Sequence, residues 1–155
     1  MGLSFRVAMP TDLEKVLEFA RRRNDQRFSD PNQRRFAEWG AKWRTESLQH
    51  YLATGWCFLA SRGAANKPES ELAGFYLAQP FLFFRSQTQT LWVEELLGSD
   101  TDVCCALAEV AVRVAREKHM QRVLFSESFQ INEFLLSLKG QTFQDQIIEV
   151  MTTKG

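Results

Sequence analysis

The stretch from Thr88 to Ser126 limits the fold more than any other. Thr88–Leu97 and Arg122–Ser126 are compact apolar runs with the look of strands. Between them, from about Asp100 to Met120, Val103, Leu107, Val110 and Val114 recur at helical spacing. Glu109, Arg113, Arg116 and Glu117 fall elsewhere on that helix, which is therefore amphipathic. Two strands joined through a helix cannot form a tight hairpin. The connection must cross over the sheet and leave the strands parallel.

The remaining elements arrange themselves around this unit. Ser4 to Met9 alternates Phe5, Val7 and Met9 against Ser4, Arg6 and Ala8, as a short strand does. Pro10-Thr11-Asp12 ends it and opens a helix, with Glu14 as a capping-box partner for Thr11. Leu13, Val16, Leu17 and Ala20 form the helix's apolar stripe, which Asn24-Asp25 closes. Asp30-Pro31 predicts a second, longer helix to about Ala53, with a stripe of Phe36, Trp39, Trp43, Leu48, Tyr51 and Leu52 and a stop at Gly55. Trp56–Ser61 and Leu72–Phe84 read as a hairpin with a long polar loop, Arg62–Glu71, and Arg85-Ser86-Gln87 turns the chain into Thr88–Leu97. A short helix over Gln130–Leu138, ended by Gly140, and a strand over Thr142–Met151 complete the chain. The expected order is βααβββαβαβ, an α+β (α/β) fold with a mostly antiparallel sheet and a parallel fourth–fifth strand pair. No repeat or linker divides it, so one domain over residues 1–155 is expected.

Charge and cysteine content exclude several classes. Lys+Arg and Asp+Glu are equal at 19 each, and the pI is near 6.7, which removes the signature of a nucleic-acid binder. The same balance leaves little electrostatic barrier to a homodimer. Cys57, Cys104 and Cys105 are too few and too oddly spaced for a disulfide framework or a zinc site, and no metal is expected. The longest apolar run, Leu72–Phe84, is interrupted by Gln79-Pro80, so no membrane association is expected and the cytoplasm is the default. Arg21, Arg22, Arg23, Arg27, Arg34 and Arg35 crowd one segment; we read them as a solvated helix end, the alternative being a rim for an anionic ligand.

Three stretches carry a family resemblance. Phe5-Arg6-Val7-Ala8-Met9-Pro10-Thr11-Asp12, Leu72-Ala73-Gly74-Phe75, and Ala115–Lys118 continuing to Val123–Phe125 resemble the first strand, third strand and long helix with its following strand in the GNAT superfamily of acyl-CoA-dependent N-acyltransferases. The expected element order is also that family's. The resemblance implies acetyl-CoA or another acyl-CoA as co-substrate and a small-molecule or protein amine as acceptor. It places the coenzyme along Leu96, Leu97, Gly98, Ser99, Thr101, Val103 and Cys104, with Asn132 as a further contact. In the family, a glycine-rich loop opens the long helix and its amides hold the pyrophosphate. Here that loop reads Ser99-Asp100-Thr101-Asp102-Val103-Cys104, and residues 99–139 contain no glycine. Asp100 and Asp102 suit a helix start, but each sets a negative charge where phosphate would sit. Two unit charges about 4 Å apart at an effective dielectric near 20 repel by roughly 4 kcal/mol.

The catalytic positions implied by the family are sparse. Leu138 falls where many members carry a tyrosine acid, and Tyr51 and Tyr76 lie in other elements. Glu94 and Glu95 sit on the strand that supplies a general base; strand alternation predicts that at most one faces the cleft. Ser126 and Ser128 are weaker polar candidates, with turn capping as the plain reading. Cys104 and Cys105 are expected to be small core residues, and His119 a surface residue at a helix end. Three functions follow: an N-acyltransferase, with altered or lost activity; a non-catalytic GNAT-fold binding or regulatory module; or an aromatic-lined sensor of another α+β fold, prompted by 13 Phe and 4 Trp.

Overall fold

The computed structural model describes residues 2–63, 70–84, 87–142 and 147–152. Much of the long loop and the turn at 85–86, both expected from the sequence, and positions 143–146 lie outside the described residues. Strand β1 (Leu3–Val7) leads through a single 3₁₀ turn into α1 (Leu13–Arg27), followed by α2 (Pro31–Gly40) and α3 (Thr45–Leu52). Strands β2 (Phe58–Arg62), β3 (Glu71–Phe84) and β4 (Gln87–Gly98) precede the long helix α4 (Thr101–Glu117). Then come β5 (Arg122–Ser126), α5 (Asn132–Ser137), β6 (Gly140–Thr142) and β7 (Ile147–Met151). The seven strands form one sheet in the order β1-β2-β3-β4-β5-β7-β6, antiparallel except for β4 and β5. Among the described residues no helix is long and apolar enough to cross a membrane.

Two apolar layers sandwich the sheet. On one face, Val103, Leu107, Val110, Ala111 and Val114 of α4 pack on Leu91, Val93, Leu96, Val123 and Phe125. On the other, Val16, Leu17, Phe19 and Ala20 of α1 join Leu48, Tyr51 and Leu52 of α3 over Leu59, Phe75 and Leu77. The helical stripes expected over residues 13–20 and 103–114 are buried.

The segment expected as one long helix is two. α2 stops at Gly40, Ala41 is extended (ψ 145°), and the Arg44 guanidinium donates to the Trp39 carbonyl at 3.2 Å. Glycine has low helix propensity, and the break lets Trp43 turn into the α1–α3 layer, where it is 6% exposed. Phe36 and Trp39, expected on the buried stripe, are instead 67% and 64% exposed and stack edge-to-face at 6.2 Å.

The start of α1 also differs. The capping-box pair expected for Thr11 and Glu14 is replaced by Asp12, whose carboxylate accepts the Met9 amide at 2.8 Å and a bidentate Arg6 guanidinium at 2.7 and 2.8 Å. Arg6 therefore ties β1 to the helix entry, and its hydrogen bonds hold the Asp12 carboxyl below its ordinary range.

Glycine matters most where β3 meets β4. Gly74 and Gly98 face each other in register. A Cβ on Gly74 would lie 2.6 Å from the Leu97 carbonyl oxygen and 2.9 Å from Val103 Cγ1; one on Gly98 would lie 2.9 Å from Cys104 Sγ. The pair lets the first turn of α4 press directly onto the sheet.

Gly74→Ala is expected to cost roughly 1–3 kcal/mol of stability through overpacking, measurable by urea denaturation. Asp12→Ala is expected to cost roughly 1–3 kcal/mol at neutral pH, because it strands a partly buried guanidinium and an amide. Since the folded-state pKa of Asp12 is depressed, the wild-type advantage is fully present above the unfolded carboxyl value and shrinks as pH falls through the folded one. Denaturation midpoints of both proteins across the acid range test this; a pH-independent difference would overturn it.

Candidate functional site

The site exists because β4 and β5 pair only briefly. Thr90, Leu91 and Trp92 are in register with Arg122, Val123 and Leu124, and past that point β4 continues beside β3 while β5 continues beside β7. A cleft of about 650 Å³ opens between the diverging ends. Glu95, Leu96, Leu97 and Gly98 of β4 form one wall, and Ser128–Ile131, after β5, form the other. Asp100, Thr101 and Cys104 at the start of α4 close one end, while Ala20, Arg23, Asn24, Gln26, Arg27 and Trp43 overhang it.

A β-bulge shapes the β4 wall. Leu77 is in register with Glu95 and Ala78 with Val93, so Glu94 is an extra residue without its own partner on β3. Leu91, Val93 and Leu96 all point into the α4 layer, whereas Leu97 packs against the α1–α3 layer. The two-residue alternation is therefore broken between Val93 and Leu96, and Glu94 and Glu95 both fall on the α1–α3 side. The expectation that adjacent strand residues face opposite ways fails here because the bulge resets the pleat.

The two carboxylates have different surroundings. Glu94 accepts from Gln79 Nε2 at 2.5 Å, lies 3.9 Å from Lys42 Nζ and stands close enough to the Tyr51 phenol to act on it. Burial and the charge of Glu94 push the Tyr51 phenol well above its ordinary value. Glu95 lines the cleft and, among the described residues, accepts the Leu96 amide at 3.1 Å. Burial pushes its carboxyl up to about 7, against the opposing pull of the Leu96 amide, Lys42 and Arg27, while Glu94 pushes it further up.

The other predicted positions divide between wall and support. Leu96, Leu97, Gly98, Thr101 and Cys104 line the cleft. Val103 is buried in the α4 core instead, and Ser99 Oγ accepts from Arg62 on the surface. Ser126 stands outside the cleft lining and caps the turn after β5, accepting the Ser128 amide at 3.2 Å with its hydroxyl 2.7 Å from that of Ser128. Asn132 also stands outside the lining, and its Oδ1 is buried without a hydrogen-bond partner among the described residues. Burial pushes the Cys104 thiol up to about 11 and raises that of Cys105, so the helix start does not activate them. Tyr76 is fully buried, stacked on Phe58 and away from the cleft. Among the described residues no group of three or more metal-ligating side chains occurs.

At the α4 start, Asp100 behaves as the sequence predicts and also as it does not. Its Oδ1 accepts the Val103 amide at 2.9 Å, a regular N-cap. Its Oδ2 is 3.0 Å from Arg62 Nη2 on β2, a partner far away in sequence. The charge that the sequence sets against an anion is thus paired.

The arginine-rich segment also splits. Arg21 pairs with Glu38, Arg22 with Glu18 and Arg34 with Asp25, as a solvated surface does. Arg23 and Arg27, grouped from the sequence with the solvated helix end, lie instead over the cleft, on the same helix face as Val16 and Ala20. The available signal was their spacing, which continues the apolar stripe at i+3, i+4 and i+7.

No family model matches the sequence, and no curated protein matches it. Solved structures do match. The PaiA N-acetyltransferase of Thermoplasma acidophilum, solved with coenzyme A, shares 14% identity over 97% of this chain and 99% of its own, with a TM-score of 0.64. A GNAT-family acetyltransferase of Staphylococcus aureus shares 9% identity over 98% and 100%, with a TM-score of 0.64. The diaminobutyrate acetyltransferase EctA of Paenibacillus lautus, solved with diaminobutyric acid and coenzyme A, shares 14% over 99% and 98%, with a TM-score of 0.60. The chain has the GNAT fold.

A carboxyl whose pKa is raised on folding contributes stability below its unfolded value and loses that contribution as pH rises through the folded one. Glu95→Gln is therefore expected to raise the thermal midpoint at pH 8 and leave it nearly unchanged at pH 4. Equal effects at both pH values would overturn this.

Proposed function

We propose that the cleft takes an acyl-CoA and that the protein is an N-acyltransferase, passing an acetyl or other acyl group to an amine by direct attack. The observation that carries this reading is Glu95. It is a carboxyl pushed up to about 7, on the cleft wall, at a bulge beside the point where the parallel strands part. An amine is protonated at neutral pH and needs a base of matched strength before it can attack, and a carboxyl near 7 is such a base.

The residues present fit the coenzyme along most of its path. The β4 edge from Val93 to Gly98 is free of β5, which leaves backbone groups for an extended amide-bearing arm. Bound there, an acyl-CoA supplies the thioester carbon that accepts the amine. Glu95 receives the ammonium proton, and Arg27 and Lys42, whose fields reach it, favour its charged form beforehand. Glu94, held by Gln79, Tyr51 and Lys42, fixes the bulge rather than moving a proton. No tyrosine lines the cleft among the described residues, and Leu138 offers no acid. A thiol with a pKa near about 8.5 can leave as a thiolate without one.

The acceptor is an amine, small or borne by a protein. A second reading, a binding module without catalysis, is favoured by one observation: the Asp100 carboxylate already occupies an amide at the α4 start.

Calorimetric titration with acetyl-CoA and an acyl-transfer assay over a panel of amines separate the readings. Binding with turnover is expected. Glu95→Gln is expected to lower kcat/KM by roughly 10²–10⁴-fold and to remove a limb near pH 7 from the pH–rate profile. Coenzyme binding without turnover would favour the module, and no binding at millimolar ligand would reject the acyltransferase.

A further inference from the structure

α1 changes character along a single face. Val16 and Ala20 are buried against the sheet; one and two turns further on, the same face presents Arg23 and Arg27 to the cleft. Neither guanidinium has an ion pair among the described residues, although Arg21, Arg22 and Arg34 on the same segment do. Arg23 Nη1 donates to Gln26 at 3.0 Å, but its Nε is buried with no hydrogen-bond partner among the described residues. Arg27 Cζ lies over the Phe28 ring, 5.2 Å from its centre. An unpaired cation with a buried, unused donor is costly unless something satisfies it.

The neighbourhood accommodates a negative ligand. Arg23 acts electrostatically on Cys104, in the first turn of α4, and so stands near the end of the cleft that Asp100 and Thr101 close. The Asp100 carboxylate there is drawn to Arg62 on its outer side and caps Val103 on its inner side. The α4 start itself has no glycine after Gly98, so its backbone cannot wrap a phosphate as a glycine-rich loop does.

We propose that Arg23 and Arg27 form an anion subsite on the roof of the cleft that holds the coenzyme's phosphates, replacing with side-chain charge the grip that glycine-rich backbone would provide. The proposal rests on the acyl-CoA reading of the same cleft. Guanidinium donors suit phosphate oxygens because they bond in a planar, bidentate fork. Unlike backbone amides, they make the affinity strongly salt-dependent.

The test is calorimetric and needs no turnover. Coenzyme A and pantetheine, which shares its thiol arm but lacks every phosphate, are titrated into the wild type, R23Q, R27Q, the double Gln variant and R23K/R27K. Circular dichroism and thermal midpoints check that each variant is folded. Each single Gln change is expected to weaken coenzyme A roughly tenfold or more, and the double change roughly a hundredfold. Pantetheine affinity is expected to stay unchanged, and R23K/R27K to recover part of the loss. Raising salt is expected to weaken coenzyme A binding to the wild type more than to the double Gln variant. Unchanged coenzyme A affinity in a folded double Gln variant overturns the subsite while leaving the acyl-CoA reading intact. Equal loss of coenzyme A and pantetheine also overturns it, showing that the arginines only shape the cleft. A wild type that binds neither ligand rejects the acyl-CoA reading and the subsite with it.

Discussion

Three residue pairs hold β4 to β5, and the rest of the site follows from where that pairing stops. A parallel pair is forced by the crossover through α4, but nothing in a crossover requires the strands to stay together along their length. β4 remains tied to β3 as far as Gly98, and β5 to β7 as far as Ser126. Their separation leaves a stretch of β4 edge exposed to a cleft instead of a neighbour. An open parallel edge is ordinarily a liability. Here α1 covers it from above, and the space between is large enough for a ligand.

The bulge at Glu94 does the second half of the work. It costs one unpaired residue in the β3–β4 ladder and turns two adjacent carboxylates to the same side of the sheet. Their fates then differ through hydrogen bonding. Among the described residues Glu94 has Gln79, Tyr51 and Lys42 around it, whereas Glu95 has the Leu96 amide. Burial with little compensation is what moves the Glu95 carboxyl upward. A similar division recurs on α1: Arg21 and Arg22 find carboxylates at the surface, whereas Arg23 and Arg27 have no ion pair among the described residues and overhang the cleft.

Much of the architecture was legible in the chain. The stripe of Val103, Leu107, Val110 and Val114 and the crossover between Leu91 and Phe125 stand as read, because burial of an amphipathic face is a local pattern with a nearly fixed outcome. The alternation read over Ser4–Met9 does not: β1 ends at Val7, Val7 and Met9 are exposed, and Ala8, from the opposite set, is the buried residue. The resemblance set a coenzyme along Leu96, Leu97, Gly98, Thr101 and Cys104, and these five residues line the cleft. Misread features depended on partners distant in sequence. Phe36 and Trp39 keep helical spacing with Trp43, yet only Trp43 finds a core to enter. Asp100 looks like an unopposed negative charge until Arg62, from another strand, reaches it at 3.0 Å.

Sequence alone therefore determined the long helix α4, the parallel crossover, the acidic start of α4 and the absence of a glycine cradle there, since each is written in neighbouring residues; the break between α2 and α3 and the short strand β6 were not. Tertiary structure decided which glutamate faces the cleft, which arginines go unpaired and what neutralises Asp100. The physical reason is that a bulge is set by the register of two strands, and an electrostatic environment by every chain segment that comes within a few ångströms. Neither is encoded at any one position. The glycines show the division most plainly. Their absence after residue 98 could be counted along the chain, but only the packed sheet shows why Gly98 must stay, with the Cys104 sulfur 2.9 Å from where a side chain would begin.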